Sequence, residues 1–131
     1  MLQVREPQPG IAWSQGRIAR RAAYDCWMWS PQWLEARRRW RREWIRRNGG
    51  EPACAVCAGE WSLTSGDLHH RTYSRLGHER FEDLVALDRL CHDRVHRIWD
   101  ANPAWRRLDR SLANDLIVGM LRRSFVEERL P

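Results

Sequence analysis

A chain of 131 residues makes one domain of ordinary size, or a compact module with an arm, and is too short for two full domains. With 31% charged and 43% hydrophobic residues, its composition is that of a soluble globular protein and excludes a disordered tail. The 23 basic side chains are all Arg and outnumber 17 acidic ones, giving a net charge of +6, so every cation is a planar, permanently charged fork suited to phosphate.

In chain order, Pro7, Pro9 and Gly10 predict an extended start over residues 1–12. A helix is expected from Trp13 to Trp29, with Ile18, Ala22 and Cys26 along one side. Ser30-Pro31 then opens a second helix: the Ser oxygen caps free N–H groups, and Pro loses nothing in the first turn. This helix runs to Arg47 with Trp33, Trp40 and Trp44 on one stripe, and Asn48-Gly49-Gly50 ends it. Residues 51–66 read as a loop. Asp67 to His70 and Leu84 to Leu87 are short strands separated by a long charged turn through Gly77. A helix follows from about Arg89 to Trp99, with Leu90, Val95, Ile98 and Trp99 as its apolar contacts. Asn102-Pro103 opens a last, interrupted helix toward Phe125, with Leu112, Leu116, Ile117 and Met120 as an apolar stripe. The class is α+β, mostly α.

The charge is unevenly placed. Residues 1–50 hold 11 Arg against four acids, whereas residues 51–131 hold 12 Arg against 13 acids. Such an arm implies a polyanionic partner, nucleic acid ahead of an anionic membrane. Arg38, Arg41, Arg42 and Arg46 lie largely off the Trp stripe. The plain reading is a solvated helix face; the sharper one is a face that tracks a phosphate backbone. No apolar run reaches a spanning length, and the start lacks the basic-then-apolar layout of a signal peptide, so a cytoplasmic protein is expected. In a reducing compartment, four Cys favour metal binding or plain burial over disulfides.

Two constellations carry chemistry. His92 and His96 are four apart on a predicted helix and share one face, so both can bind one metal. A strand ending in His69-His70 sends its imidazoles to opposite sides. One can complete the metal site while the other stays free as a base, which leaves open positions on the metal as catalysis requires. Separately, Cys54-x2-Cys57 can aim two thiolates at one zinc, and Asp88-x2-Cys91 would be a second such turn with a carboxylate in its first position. Packed cysteines are the plain alternative, and Cys26 is a weaker choice of fourth ligand.

Ser30-Pro31-Gln32-Trp33, Cys54-x2-Cys57, Asp67-Leu68-His69-His70, Tyr73, Gly77-His78-Glu79-Arg80, Asp83-Leu84-Val85-Ala86-Leu87 and Cys91-His92 with His96 follow one another over about half the chain. In that order and spacing they resemble the HNH nuclease family with its ββα-metal fold. Residues 1–29 and 100–131 have no counterpart. The resemblance implies an HNH core over residues 31–100, its leading helix included, an N-terminal basic arm over 1–30 and a helical extension over 101–131. It makes His69 and His92 metal ligands, His96 the additional histidine ligand of colicin-type DNases, and His70 the general base. Asp83 takes the place of the Asn that gives the family its middle letter and would brace the loop behind His70. Cys54, Cys57 and Cys91 match structural zinc ligands, while Asp88 departs from the fourth Cys.

The expected activity is metal-dependent hydrolysis of DNA phosphodiester bonds. His70 would take a proton from water, and a metal on His69, His92 and His96 would stabilise the 3′ leaving oxygen. Three imidazoles suit Zn2+, Ni2+ or Co2+ better than Mg2+, although related enzymes commonly use Mg2+ or Mn2+. Arg71 and Arg75 join the helix arginines as expected phosphate contacts. One active site cuts one strand, so cleaving duplex DNA through both strands calls for a homodimer, a larger nuclease complex or two visits. The alternative is a non-catalytic zinc-knuckle DNA-binding module; a membrane contact through the basic arm is the weakest reading.

Overall fold

The computed structural model describes residues 12–129, and the extended start expected at Pro7, Pro9 and Gly10 lies outside them. Among these residues the fold is α+β and mostly helical, with four α-helices and one antiparallel hairpin. In chain order these are α1 (Ala12–Met28), α2 (Pro31–Asn48), β1 (Gly66–His70), β2 (Leu84–Asp88), α3 (Arg89–Ala101) and α4 (Arg110–Arg129). Among the described residues, no helix is long and apolar enough to cross a membrane.

The ends of α2 are set as the sequence implies. Ser30 Oγ accepts from Trp33 N at 3.1 Å, and Gly49 closes the helix at φ 79°, a left-handed conformation that costs glycine nothing. The stripe of α2 buries Trp33, Ala36 and Trp40 against Leu68, Leu84 and Ala86 of the hairpin, with Trp61, Phe81 and Trp44 around them. The other face of the hairpin packs Leu87 and Val85 against Cys91 and Val95 of α3 and Ile117 of α4. The hairpin is thus the middle layer, covered on both sides, and that explains why β1 and β2 are buried almost throughout instead of alternating.

Register decides where each strand residue points. His70 pairs with Leu84 and Leu68 with Ala86, and these side chains face α2. His69 pairs with Val85 and Asp67 with Leu87, and these face α3. A slip of one residue would exchange the two sets. Gly66 sets the start of β1, because a Cβ there would stand 2.2 Å from Trp61 Cδ1.

Three expected faces differ. On α1, Ile18 and Cys26 are exposed, and Tyr24, Trp27 and Met28 turn toward the body of the protein. On α3, Leu90 is exposed while Val95, Ile98 and Trp99 pack as expected. On α4, Leu112, Leu116 and Met120 are 49%, 45% and 47% exposed, and the buried residues are Ala113, Asn114 and Ile117. The reason is polar. Asn114 donates from Nδ2 to the carbonyls of His70 at 3.3 Å and Arg71 at 2.8 Å, and accepts from His69 at 2.8 Å. These bonds, together with the Arg71–Asp115 pair at 2.8 and 2.5 Å, rotate the helix away from its apolar stripe.

Gly66→Ala must displace the Trp61 ring from the core and is expected to cost about 1–3 kcal/mol in urea unfolding. Trp29→Ala, at an exposed ring, should stay within about 0.5 kcal/mol of the wild type in the same titration.

Candidate metal centres and the cleft beside them

Cys54 and Cys57 lie on a tight turn in which Ala58 N donates to Cys54 O and Cys54 N to Gly59 O, both at 2.9 Å. An isolated bridge between Ala53 and Glu60 closes it, and Ala55 N donates to Ala86 O of β2. Ala58 sits at φ 58°, where a side chain is strained and glycine is not. The second half of the group comes from the β2–α3 junction. Asp88 caps α3 through Oδ1, which accepts from Cys91 N at 2.7 Å, and presents Oδ2 to the Cys57 thiol at 2.9 Å. The ligand atoms of Cys54, Cys57, Asp88 and Cys91 lie within 4.8 Å of one another, so this group could hold a metal ion. Cys26 is exposed on α1 and is not part of it.

Burial, then the neighbouring Asp88 carboxylate, pushes the Cys57 and Cys91 thiols above their ordinary range. Burial also raises Asp88, but hydrogen bonds from Cys57 and from the Cys91 backbone outweigh it and hold the carboxyl below its usual value. Without a metal the Cys57 and Cys91 thiols are therefore protonated beside one carboxylate. A divalent cation would convert the thiols to thiolates.

The second group is His69, His92 and His96, again within 4.8 Å. Its tautomers follow from the partners. Asn114 spends its Nδ2 on two carbonyls, so its Oδ1 must face His69 Nε2, and that nitrogen must carry the proton. Asp67 Oδ2 accepts from His92 Nδ1 at 3.0 Å. The lone pairs of His69 Nδ1 and His92 Nε2 consequently face each other at 3.1 Å, and His96 Nε2 stands 3.0 Å from His92 Nε2. A proton on His96 could satisfy one of those lone pairs. A divalent cation satisfies all three, and carboxylate or amide partners behind the rings are the usual support of histidine ligands. The donor set fits a metal.

Burial lowers the pKa of His69 to about 3, outweighing the Asn114 bond that raises it, and the neighbouring His92, His96 and Arg110 lower it further. Burial, His92 and Arg110 likewise lower His96. Arg110 is held over Tyr73 at 4.3 Å and Trp99 at 4.8 Å.

His70, on the opposite face of β1, is 2% exposed and stacks on Trp33 with centroids 5.1 Å apart, with Tyr73 also at 5.1 Å. Its Nε2 stands 3.5 Å from Glu79 Oε2. Glu79 is itself fixed by Trp27 Nε1, which donates to Oε2 at 3.0 Å, and by Gly77 N. Burial raises the Glu79 carboxyl, but the neighbouring His70 ring and the bonds from Trp27 and Gly77 outweigh it and hold it below the ordinary range. Asp83 does not reach the His70 ring. Its buried carboxylate accepts from Arg75 and from Arg80 N, while its carbonyl accepts from Arg71 N at 2.7 Å, which braces the backbone that follows His70.

A cleft of about 310 Å3 joins His69, His92 and His96 to His70, and Tyr24, Trp33, Tyr73, Arg37 and Arg89 also line it. The arginines singled out by sequence lie elsewhere and have acidic partners. Arg38 and Arg42 pair with Glu35, Arg41 with Glu51, Arg46 with Glu43, Arg71 with Asp115 and Arg75 with Asp83. Sequence reasoning missed Asn114, Arg89 and the role of Glu79; Arg37 belongs to the helix arginines expected to contact phosphate but was not singled out among them. Also missed was Asp67 as the partner of His92, although Asp67 is two residues before His69 and so shares its strand face.

No family model, curated protein or solved structure matches the chain.

Two outcomes test the centres. Asp88→Ala removes a ligand and the α3 cap, so it should weaken Zn2+ binding at least tenfold and cost about 1 kcal/mol more in unfolding than Asp88→Asn, which keeps a cap acceptor. Chelator competition and urea titration read the two effects. Metal-free protein should also lose stability as pH falls from about 6.5 toward about 3, because over that window the unfolded chain takes a proton that His69 refuses in the fold. Thermal unfolding across that range, in wild type and His69→Gln, checks it: the slope should be shallower in the variant.

Proposed function

We propose that the protein is a metal-dependent HNH-type endonuclease that hydrolyses DNA phosphodiester bonds, with β1, β2 and α3 as its ββα-metal core. The observation that carries this reading is that three imidazole nitrogens converge, with the tautomers of His69 and His92 fixed from behind, while a fourth imidazole lines the same cleft from the other strand face. A divalent cation held by His69, His92 and His96 supplies positive charge for the scissile phosphate and the departing 3′ oxygen. Nitrogen ligands favour Zn2+, Ni2+ or Co2+ over Mg2+.

His70 does the proton chemistry. Glu79 faces Nε2, which leaves Nδ1 as the nitrogen that accepts the proton from water. Trp33 and Tyr73 hold the plane of the ring, and Trp27 holds Glu79 in turn, so α1 and α2 both serve the base. Asp83 acts on the turn between the strands rather than on the ring, with Arg75 as its partner. The Cys54, Cys57, Asp88, Cys91 group is a structural zinc site that fixes the start of α3, and with it His92 and His96. A purely DNA-binding module has no use for the converged imidazoles or for the Glu79–His70 pair, which is why the catalytic reading is preferred.

Supercoiled-plasmid nicking tests the proposal in protein stripped of metal and then titrated with Mg2+, Mn2+, Zn2+, Ni2+ or Co2+. The wild type should nick on metal addition. His70→Ala should be slower by about 10²- to 10⁴-fold with duplex affinity within about twofold. Glu79→Gln should fall between the two. Wild-type protein that binds duplex but nicks with none of the metals would overturn the catalytic reading.

A further inference from the structure

The cleft carries two cations that no acid neutralises by direct bonding. Arg37 Nη2 donates to the carbonyls of Leu63 at 2.6 Å and Gly66 at 3.2 Å, and Arg89 Nη2 donates to Thr64 O at 3.2 Å. Both guanidiniums are therefore fastened to the short loop that leads into β1. Among the described residues neither makes an ion pair, whereas all six arginines singled out by sequence do. Their Nε and Nη1 groups have no hydrogen-bond partner among those residues. Burial lowers the pKa of Arg37; Asp67 opposes this, and Arg89 adds to it, so the two cations lie within each other's field. Asp67 is already bound to His92. Two like charges gathered at one cleft rim are unfavourable unless an anion joins them. Guanidinium forks with free N–H pairs match the oxygens of a phosphodiester.

We propose that Arg37 and Arg89 form a clamp for a backbone phosphate of duplex DNA at the mouth of the imidazole cleft. This clamp rests on the nuclease reading and gives the strand its position there. On α2, Arg38, Arg41, Arg42 and Arg46, each paired with a glutamate, are then not the grip.

The test is duplex binding across a salt series, in metal-loaded protein carrying His70→Ala so that the DNA stays whole. Added to that background, Arg89→Gln and Arg37→Gln should each weaken binding about five- to tenfold and lower the slope of log affinity against log salt by about 1. Arg42→Gln, on the outer face, should change affinity less than twofold. Arg37 also ties down Leu63 and Gly66; if its variant unfolds, Arg89→Gln alone decides. An unchanged affinity and slope in Arg89→Gln, or an equal loss in Arg42→Gln, overturns the clamp. Nicking by protein with His70 intact separates the two claims. Clamp effects without nicking overturn the catalytic reading alone, and nicking without clamp effects overturns the clamp alone.

Discussion

Two lone pairs that face each other at 3.1 Å are the constraint around which this fold is organised. Neither His69 nor His92 can turn its proton inward, because Asn114 and Asp67 hold those protons on the outer nitrogens. A proton can relieve one such contact, whereas a metal cation at the meeting point satisfies all three nitrogens at once. The elements that create it come from distant parts of the chain: β1 supplies Asp67 and His69, α3 supplies His92 and His96, and α4 supplies Asn114. A small hairpin and two helices are thereby committed to one geometry.

The β2–α3 junction is the second commitment. Asp88 ends the strand, caps the helix and faces Cys57 with its other oxygen, so one side chain does what a cysteine could do only in part. That makes the absence of a fourth Cys intelligible. A thiolate at position 88 would add a ligand but could not cap α3 as a carboxylate does. The junction also sets where α3 leaves the sheet, and Asp88 stands four residues before His92 and eight before His96.

Much of this was legible in the sequence. The Ser30-Pro31 entry, the Asn48-Gly49 exit, the two strands and the start of α3 fall within a residue or two of expectation, because each is set by local chemistry. The two ligand groups were legible as well: the helix period puts His92 and His96 on one face, the strand period sends one of His69 and His70 toward them, the HNH resemblance points to His69, and Cys-x2-Cys spacing announces a turn. What escaped depends on contacts between elements. The Leu112, Leu116, Met120 stripe on α4 looks like a core face, yet Asn114 overrides it with three hydrogen bonds that no periodicity reveals. Glu79 reads as one more charge in a charged turn until Trp27 of α1 reaches across to it. The arginines escape in the same way: sequence counts their charges, and only the fold shows that Arg38, Arg41, Arg42, Arg46, Arg71 and Arg75 have carboxylate partners while Arg37 and Arg89 at the cleft are bound to backbone carbonyls.

The central claim is that His69, His92 and His96 form a preset metal site from which His70 is held apart by the strand. Long-range 1H–15N correlation spectra of the histidine rings, recorded before and after stoichiometric Zn2+, test it most directly. The account predicts a proton on His69 Nε2 and on His92 Nδ1 in both states. On adding Zn2+, the resonances of His69 Nδ1, His92 Nε2 and His96 Nε2 should move together while His70 keeps its own. Reversed tautomers at His69 and His92, or a His70 ring that moves with the metal in place of His69, would contradict it.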